Sequence, residues 1–218
     1  MRSGSPKYLS DSQSENWNTQ GVLLDETLVK PDQALDFDEL FGNTRPVEIE
    51  IGTGKGTFLL ARASARPEMN FLGLEWARAY CHYAADRFRR YDLGNVRMLR
   101  ADADEFFRKC LPNSSIFRVH IYFPDPWPKK KHHRRRLIQP KFLRQVYRVL
   151  RPGGQLMIVT DHLDYFYQIQ SVLIRAKGFA RITFPKMSDT KGEIVGTNFE
   201  RKYIAQGRAF YSAACMKY

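Results

Sequence analysis

Residues 47–63 decide the fold class and read Val47-Glu48-Ile49-Glu50-Ile51-Gly52-Thr53-Gly54-Lys55-Gly56-Thr57-Phe58-Leu59-Leu60-Ala61-Arg62-Ala63. A short β pattern (47–51) runs into a glycine turn (52–56) and then into a helix-compatible segment (57–63). Strand, glycine turn and helix in this order open a nucleotide-binding type of α/β fold. Glycines let backbone amides approach a ligand, and the helix N-terminus adds partial positive charge. The spacing is G-x-G-x-G, not the G-x-G-x-x-G of dinucleotide folds, so the turn alone indicates a ligand site only weakly.

Acidic residues follow the strands predicted after this turn. Four further strands of buried type are predicted at 70–75, 95–100, 116–123 and 155–160. They end on, or run directly into, the acids Glu75, Asp102, Asp125 and Asp161. In open α/β sheets ligands bind at the carboxyl ends of the strands. We therefore expect these acids to share one rim with the glycine turn.

Two of these acids have a specific interpretation. Glu75 follows Gly52 by about 20 residues, the spacing at which an acid can accept hydrogen bonds from ribose hydroxyls. Asp102 can accept from an adenine amino group, but it can equally cap the helix that begins near Ala103. The sequence leaves both roles of Asp102 open.

The rest of the pattern completes an alternation of helices and strands. Apolar residues at helical spacing predict helices at 77–91, 140–150 and 163–177. Short β patterns predict a sixth strand at 180–184 and a closing strand at 208–217, and residues 186–200 are predicted to be a polar loop. Cys81 and His120 are expected to be packed core residues. Residues 1–20 are polar and predicted to be a flexible tail, so residues 21–218 are predicted to form a single domain.

Composition narrows the class of protein. The chain has 218 residues, 43% of them hydrophobic, and a formal net charge of +12, which indicates a polyanionic partner such as nucleic acid. Its three cysteines are widely spaced and suit neither a disulfide framework nor a zinc site, so no metal is expected. No apolar run is long enough to span a membrane, and residues 1–20 lack the apolar core of a signal peptide. A cytoplasmic protein without a membrane partner is expected.

One stretch joins an acid to a dense basic block: Phe123-Pro124-Asp125-Pro126-Trp127-Pro128-Lys129-Lys130-Lys131-His132-His133-Arg134-Arg135-Arg136. Each proline biases the residue before it, here Phe123, Asp125 and Trp127, towards an extended conformation. Asp125 is therefore predicted to lie in a stiff loop after the fourth strand. The alternative interpretation is a proline-rich turn followed by a solvated basic segment.

Several motifs together resemble the TrmB family of tRNA (guanine-N7)-methyltransferases, over roughly residues 45–215 and in the same order. They are Glu50-Ile51-Gly52-Thr53-Gly54-Lys55-Gly56, Gly73-Leu74-Glu75, Phe123-Pro124-Asp125-Pro126-Trp127-Pro128-Lys129, Thr160-Asp161 and Thr197-Asn198-Phe199-Glu200. The resemblance implies an α/β, three-layer, Rossmann-like class I methyltransferase fold. Its seven-stranded sheet would be mostly parallel with an antiparallel C-terminal strand.

The resemblance also implies a cofactor, a substrate and site residues. The cofactor would be S-adenosyl-L-methionine, held by the glycine turn and the acids: Glu50, Gly52, Gly54, Gly56, Glu75, Asp102 and Asp125. The substrate would be tRNA, modified at guanosine 46 of the variable loop. Its side of the site would include Lys129, Lys130, Arg134, Arg135, Asp161, Thr197, Asn198, Phe199 and Glu200. Asn198 stands where other members often carry a basic residue.

The chemistry of guanine N7 suggests roles for some of these residues. N7 has a free lone pair and loses no proton before it attacks a methyl group, so the reaction needs positioning more than a base. Asp125 is the candidate catalytic residue, orienting guanine and stabilising the positive charge that develops on it. Glu200 can accept from guanine N1–H and N2–H₂ at once, so guanine is predicted to be selected there or at Asp161. The basic residues of 129–136, with Arg144 and Arg148, are predicted to bind tRNA phosphates.

Three other functions compete with this hypothesis. A nicotinamide-dependent dehydrogenase shares the glycine turn and Glu75 but does not explain the basic block. A non-catalytic RNA-binding module explains the charge but not the acids around the turn. A methyltransferase acting on another RNA, a protein or a small molecule keeps the fold. The chain is expected to act as a monomer or a homodimer.

Overall fold

A single mixed sheet organises the computed structural model of the chain, which describes residues 9–10, 17–28, 34–188, 190 and 193–218. The strands formed by these residues are β1 (Val47–Ile51), β2 (Asn70–Leu74), β3 (Val96–Leu99), β4 (Ile116–Tyr122), β5 (Leu150–Thr160), β6 (Phe179–Ile182) and β7 (Tyr211–Lys217). The helices are α1 (Phe37–Phe41), α2 (Thr57–Ala65), α3 (Arg78–Arg90), α4 (Ala103–Lys109), α5 (Pro140–Val149), α6 (Leu163–Arg175) and α7 (Asn198–Ala205).

The order of the strands confirms the predicted fold class. Within the described residues the sheet has seven strands in the order β3-β2-β1-β4-β5-β7-β6. Neighbouring strands from β3 to β5 pair in parallel, whereas β7 pairs antiparallel with both β5 and β6. The carboxyl ends of β1 to β5 therefore meet at one edge, and the chain leaves each of these strands at that edge.

Helices cover both faces of the sheet, because its central strands are buried on both sides. Every residue of β1 and β2 is buried. On one face Ile49 and Leu72 pack in a core with α4, α5 and α6. On the other, Phe71 packs with Phe58 and Phe88 of α2 and α3. The resulting three layers are those expected for buried parallel strands.

Two elements differ from the predictions. β5 begins at Leu150 rather than Gln155, because Leu150 already pairs with Ile116. The register shifts before Gln155 pairs with Arg118, so the Pro-Gly turn is an irregularity inside the strand. Helix α7 occupies the end of the region predicted to be a polar loop. The Thr197 hydroxyl accepts the backbone N–H of Glu200 at 3.0 Å and so caps this helix.

The segment before β1 lies against the β3 edge. The N–H of Met98 donates to the carbonyl of Val22 at 2.9 Å, and the N–H of Leu24 donates to the carbonyl of Met98 at 2.8 Å. The predicted flexible tail, residues 1–20, falls mainly outside the described residues, although Trp17 contacts Tyr83 with ring centroids 5.6 Å apart. None of the helices in the described ranges has the length and apolar character needed to cross a membrane.

Candidate functional site

The glycine turn after β1 is tied to the end of β2. Gly52, Gly54 and Gly56 all have positive φ, at 79°, 55° and 71°, which residues with a side chain rarely adopt. The N–H of Gly54 donates to Glu75 Oε2 at 2.8 Å, and the other Glu75 oxygen accepts the N–H of Ala77 at 2.9 Å. The turn is thus held open by the acid that sequence reasoning assigned to a ribose.

Glu50 is a buried carboxylate without a complete set of partners. Only 3% of the residue is exposed, and its Oε2 atom has no hydrogen-bond partner among the described residues. Burial, with the negative charge of Glu75 adding to it, raises the pKa of Glu50 well above its ordinary range. Burial also raises the pKa of Glu75, and Asp125 adds to that rise. The charge of Glu75 thus reaches Glu50, and the charge of Asp125 reaches Glu75; we call these three residues the acidic rim.

Glu48, on the same face of β1, contrasts with Glu50. It is completely buried, yet its oxygens accept from Arg62 at 2.9 and 3.0 Å, from Arg118 at 3.2 Å and from His120 at 2.9 Å. Burial alone would raise the pKa of Glu48, but the hydrogen bond from His120 and the pairing with Arg62 hold that pKa far below its ordinary range. Sequence reasoning missed this network; charged residues inside apolar strands were its signal.

His120 completes the network and confirms its assignment to the core. Burial lowers the pKa of His120 below its ordinary value. Its Nε2–H donates to Glu48, and its Nδ1 accepts from the Tyr122 hydroxyl at 2.7 Å. Both ring nitrogens are therefore used within the fold, which agrees with a structural role for His120. Cys81, also predicted to be core, is fully buried.

Asp102 caps α4 and also lines a cavity. Its carboxylate accepts the N–H of Glu105 at 2.9 Å, so the capping role is confirmed. The cavity, of about 220 Å³, also contacts Trp76, Arg100 and Glu26. The Arg100 guanidinium lies 5.3 Å from the centre of the Trp76 ring and 3.1 Å from the Glu26 carboxylate. Sequence reasoning missed Trp76, a mostly exposed indole directly after the ribose-type acid.

The loop after β4 does not have the predicted extended backbone throughout. Phe123 and Trp127 have φ of 53° and 43°, so the chain turns at both residues and presents the exposed Asp125 between them. Such backbone costs about 1–3 kcal/mol per residue. Ring contacts offset that cost: Phe123 packs on Tyr203 at 5.4 Å, and Arg135 lies 4.9 Å from the Trp127 ring centre.

The basic block is a short 3-10 helix, Lys130–Arg135, with exposed cations. Lys129, Lys130, Arg134 and Arg135, predicted to contact tRNA, are all exposed. Arg136 is a correction, since only 2% of it is exposed. Its guanidinium donates to the carbonyl of Pro126 at 2.7 Å, to Gln168 at 2.8 Å and to Asp164 at 2.6 Å, which anchors the block to α6.

Arg148 is a second correction. Its guanidinium donates to the carbonyls of Phe107 and Leu111, at 2.5 and 2.8 Å, and to Asn113 at 2.8 Å. These bonds tie α5 to the end of α4 and to the loop that follows it. The donors predicted to bind phosphate are thus already used inside the fold, whereas Arg144 is exposed.

The Thr197–Glu200 motif has a different role from the one predicted. Glu200 is completely buried, and its carboxylate accepts the N–H groups of Ile194 at 2.5 Å, Val195 at 3.0 Å and Gly196 at 2.7 Å. The predicted reading of guanine by Glu200 is therefore corrected: the carboxylate holds the loop that precedes α7. Thr197 is also buried, so only Asn198 and Phe199 of the motif face solvent.

Asp161 lies at the end of β5 and forms a salt bridge with Arg208. The described residues contain no group of three or more His, Cys, Asp or Glu side chains that could hold a metal ion. What the structure brings together at the carboxyl edge is the glycine turn, the acidic rim and, beside them, the exposed basic block. This arrangement suits a cationic ligand next to a polyanion.

Comparison with known proteins shows that the chain is similar to methyltransferases. A family model described as putative methyltransferase matches residues 44–213. Proteins named tRNA (guanine-N(7)-)-methyltransferase from Alkalilimnicola ehrlichii and Nitrosococcus oceani are 38% and 39% identical to this chain. The first alignment covers 82% of this chain and 76% of the relative, and the second covers 81% and 74%.

Solved structures share the fold at low sequence identity. The aminoglycoside resistance methyltransferase NpmB1 superposes with a TM-score of 0.58 at 18% identity, over 85% of this chain and 95% of that one. TrmN from Thermus thermophilus gives a TM-score of 0.57 at 22% identity, over 80% of this chain and 45% of that one.

Replacing each buried glutamate of β1 by glutamine should change stability in opposite directions. Because the folded-state pKa of Glu50 is raised, stability falls as pH rises from the ordinary carboxyl range through that raised pKa. Glu50→Gln should therefore be more stable than the parent by about 1–3 kcal/mol above this window, and the gain should vanish in acid. Denaturant unfolding of the ligand-free protein across pH measures it.

Glu48→Gln is the matched control on the same strand face. The folded-state pKa of Glu48 is depressed, so its contribution is present at neutral pH and is lost as pH falls. Removing this charge should cost about 3–5 kcal/mol at neutral pH, because Arg62 and Arg118 lose their partner. Equal signs for the two variants would show that Glu50 is not an uncompensated carboxylate.

Proposed function

The chain belongs to the tRNA (guanine-N7)-methyltransferase family, and from this premise we propose that it methylates N7 of guanosine 46 in the variable loop of tRNA. It is an S-adenosyl-L-methionine-dependent enzyme. The observation that carries the proposal is the unpaired, buried Glu50 oxygen within the acidic rim, at the strand edge beside an exposed basic block. A non-catalytic RNA-binding module would have no use for such a carboxylate.

The residues of the edge fit S-adenosyl-L-methionine. When bound, this cofactor supplies an electrophilic methyl group on a positively charged sulfur. Glu50 offers a free acceptor to a cationic group, and the turn of Gly52 to Gly56 lets backbone approach closely. We assign Glu75 to the ribose hydroxyls, although it already accepts hydrogen bonds from the backbone N–H groups of Gly54 and Ala77. Asp102 and Trp76 line the cavity that would take the adenine.

The chain has little proton chemistry to perform on guanine. Because N7 carries a free lone pair, no side chain has to remove a proton from it. Proximity and orientation can supply about 7–11 kcal/mol of the barrier, so holding the base in line is the main requirement. Asp125 is exposed between two turns of backbone and belongs to the acidic rim. We assign it to orienting guanine and stabilising its developing positive charge.

The exposed cations beside the acidic rim bind the phosphates of tRNA. Lys129, Lys130, Arg134 and Arg135 are exposed, while Arg136 anchors the segment that carries them. Pre-positioned cations lose less side-chain entropy when they meet phosphates.

A cytoplasmic location is proposed as well. Whether the chain is a monomer or a homodimer stays a prediction that the molar mass in solution would decide.

Methyl transfer to bulk tRNA tests the function directly. The protein, incubated with S-adenosyl-L-methionine labelled in its methyl group, should label tRNA, and cleavage specific for 7-methylguanosine should map the label to position 46. Label at another nucleotide would contradict the site preference. Absence of label in tRNA, with label in another RNA, would overturn the tRNA substrate.

Asp125→Ala should lower the single-turnover rate of methyl transfer by about 100-fold or more, since it removes a charge aimed at the reacting base. Affinity for tRNA should change little. Asp38→Ala removes an exposed acid of α1, away from the carboxyl edge, and should leave the rate unchanged. Near-normal turnover by Asp125→Ala with cofactor and tRNA bound would show that Asp125 does not act on the base.

Removing cations from the basic block should flatten the salt dependence of tRNA binding. Each phosphate contact contributes roughly −0.7 to −0.9 to the log–log slope, so Lys130→Gln and Arg134→Gln should each reduce the slope by about that amount. Binding titrations at several salt concentrations measure it. Arg66→Gln, at the C-terminal end of α2, is the control and should leave the slope unchanged. An unchanged slope in the first two variants would make the block a solvated surface.

A further inference from the structure

Four aromatic side chains, which we call the aromatic cluster, connect the end of β4 to α7: Phe123, Phe199, Tyr203 and Phe210. The Phe123 ring lies at the centre, with centroids 5.4 Å from Tyr203, 6.3 Å from Phe199 and 6.3 Å from Phe210. Phe199 and Tyr203 are also 6.1 Å apart. The cluster begins two residues before Asp125, so it adjoins the loop that carries this acid.

Phe199 is the most solvent-exposed ring of the aromatic cluster. Phe123, Tyr203 and Phe210 are partly buried, and the Arg208 guanidinium lies 4.2 Å from the centre of the Tyr203 ring. Arg208 is itself held by its salt bridge with Asp161 at the end of β5. Phe199, in contrast, is 50% exposed. A half-exposed apolar ring beside other aromatic rings offers surface on which a flat ligand can stack.

The backbone that carries Phe199 is held rigidly. Thr197, two residues before Phe199, caps α7. The buried Glu200 carboxylate accepts hydrogen bonds from three backbone N–H groups of the loop before the helix. The backbone at Phe199 is therefore fixed by hydrogen bonds of residues on both sides of it in the chain. A stacking surface held in this way needs little ordering when a base arrives.

The reaction gives this ring a chemical purpose. As the N7 lone pair forms the new bond to the methyl carbon, the electron pair of the sulfur–carbon bond stays on sulfur. No proton is lost, so the positive charge leaves sulfur and appears on the guanine ring. The face of an aromatic ring attracts a cation through its quadrupole, which a neutral base exploits far less.

We propose that Phe199 stacks on the target guanine and stabilises the positive charge that the base gains during methyl transfer. This role rests on the proposed function and gives a substrate-side residue a part in the reaction: Asp125 acts on the base by charge, and Phe199 by its π electrons. The exposed aromatic face, rather than hydrophobic packing alone, is what would matter.

Progressive fluorination of Phe199 tests the proposal. Each fluorine weakens the quadrupole with little change in shape, so single-turnover rates should fall stepwise from phenylalanine through mono- and difluoro to pentafluorophenylalanine. Phe199→Leu should lower the rate by about 3- to 30-fold, the range of a cation–π contact. The affinity for S-adenosyl-L-methionine should change less than twofold.

A binding measurement supplies a readout independent of turnover. At mildly acidic pH, where 7-methylguanine keeps its charge, the parent protein should prefer the methylated tRNA over the unmodified one. Phe199→Leu should lose that preference, while Ile204→Ala, at another exposed apolar position of α7, should keep it. Equal rates across the fluorinated series, or an unchanged preference in Phe199→Leu, would overturn the proposal. A parent protein that places no methyl group on guanine N7 would instead overturn the function itself.

Discussion

Glu48 and Glu50 lie on one face of β1, and both are almost completely withdrawn from water. A buried charge without a partner costs several kcal/mol. The fold meets this cost for Glu48 with Arg62, Arg118 and His120, whereas the Oε2 atom of Glu50 has no hydrogen-bond partner in the part of the chain that the structure describes. Glu75 and Asp125 deepen the negative potential at the same edge, so a cationic ligand bound there would offset the cost of burying the Glu50 charge. Through these contacts Glu48 ties β1 to α2 and β4, two residues before Glu50.

The sheet and its acidic edge were predictable because their signals are local. Buried parallel strands appear as short apolar runs, and an acid that ends such a run must lie at the carboxyl edge whatever the details of packing. The roles of Glu200 and Phe123 were not predictable for the opposite reason. Glu200 turns back onto amides of a neighbouring loop, and Phe123 adopts positive φ because rings distant in sequence pack against it. Propensity rules do not contain such contacts.

The basic block shows the same limit for charge. In sequence, Arg134, Arg135 and Arg136 are equivalent cations, and a charge count treats them alike. In the structure Arg136 points inward to Pro126 and Asp164, and Arg135 covers Trp127, while Arg134 remains exposed. One arginine thus fixes the segment so that its neighbours can face solvent in a defined direction. The burial of Arg136 depends on its contacts with helix α6, and no local sequence pattern around the basic block reveals those contacts.

The distribution of these groups matters more than their total charge. Methyl transfer moves one positive charge from sulfur to guanine, so the net charge inside the site is the same before and after the reaction. A carboxylate equally distant from both atoms would stabilise both states and would not lower the barrier. Groups that favour the donor, such as Glu50, supply binding. Only groups nearer to the base, which we propose to be Asp125 and Phe199, can favour the transition state over the bound substrates.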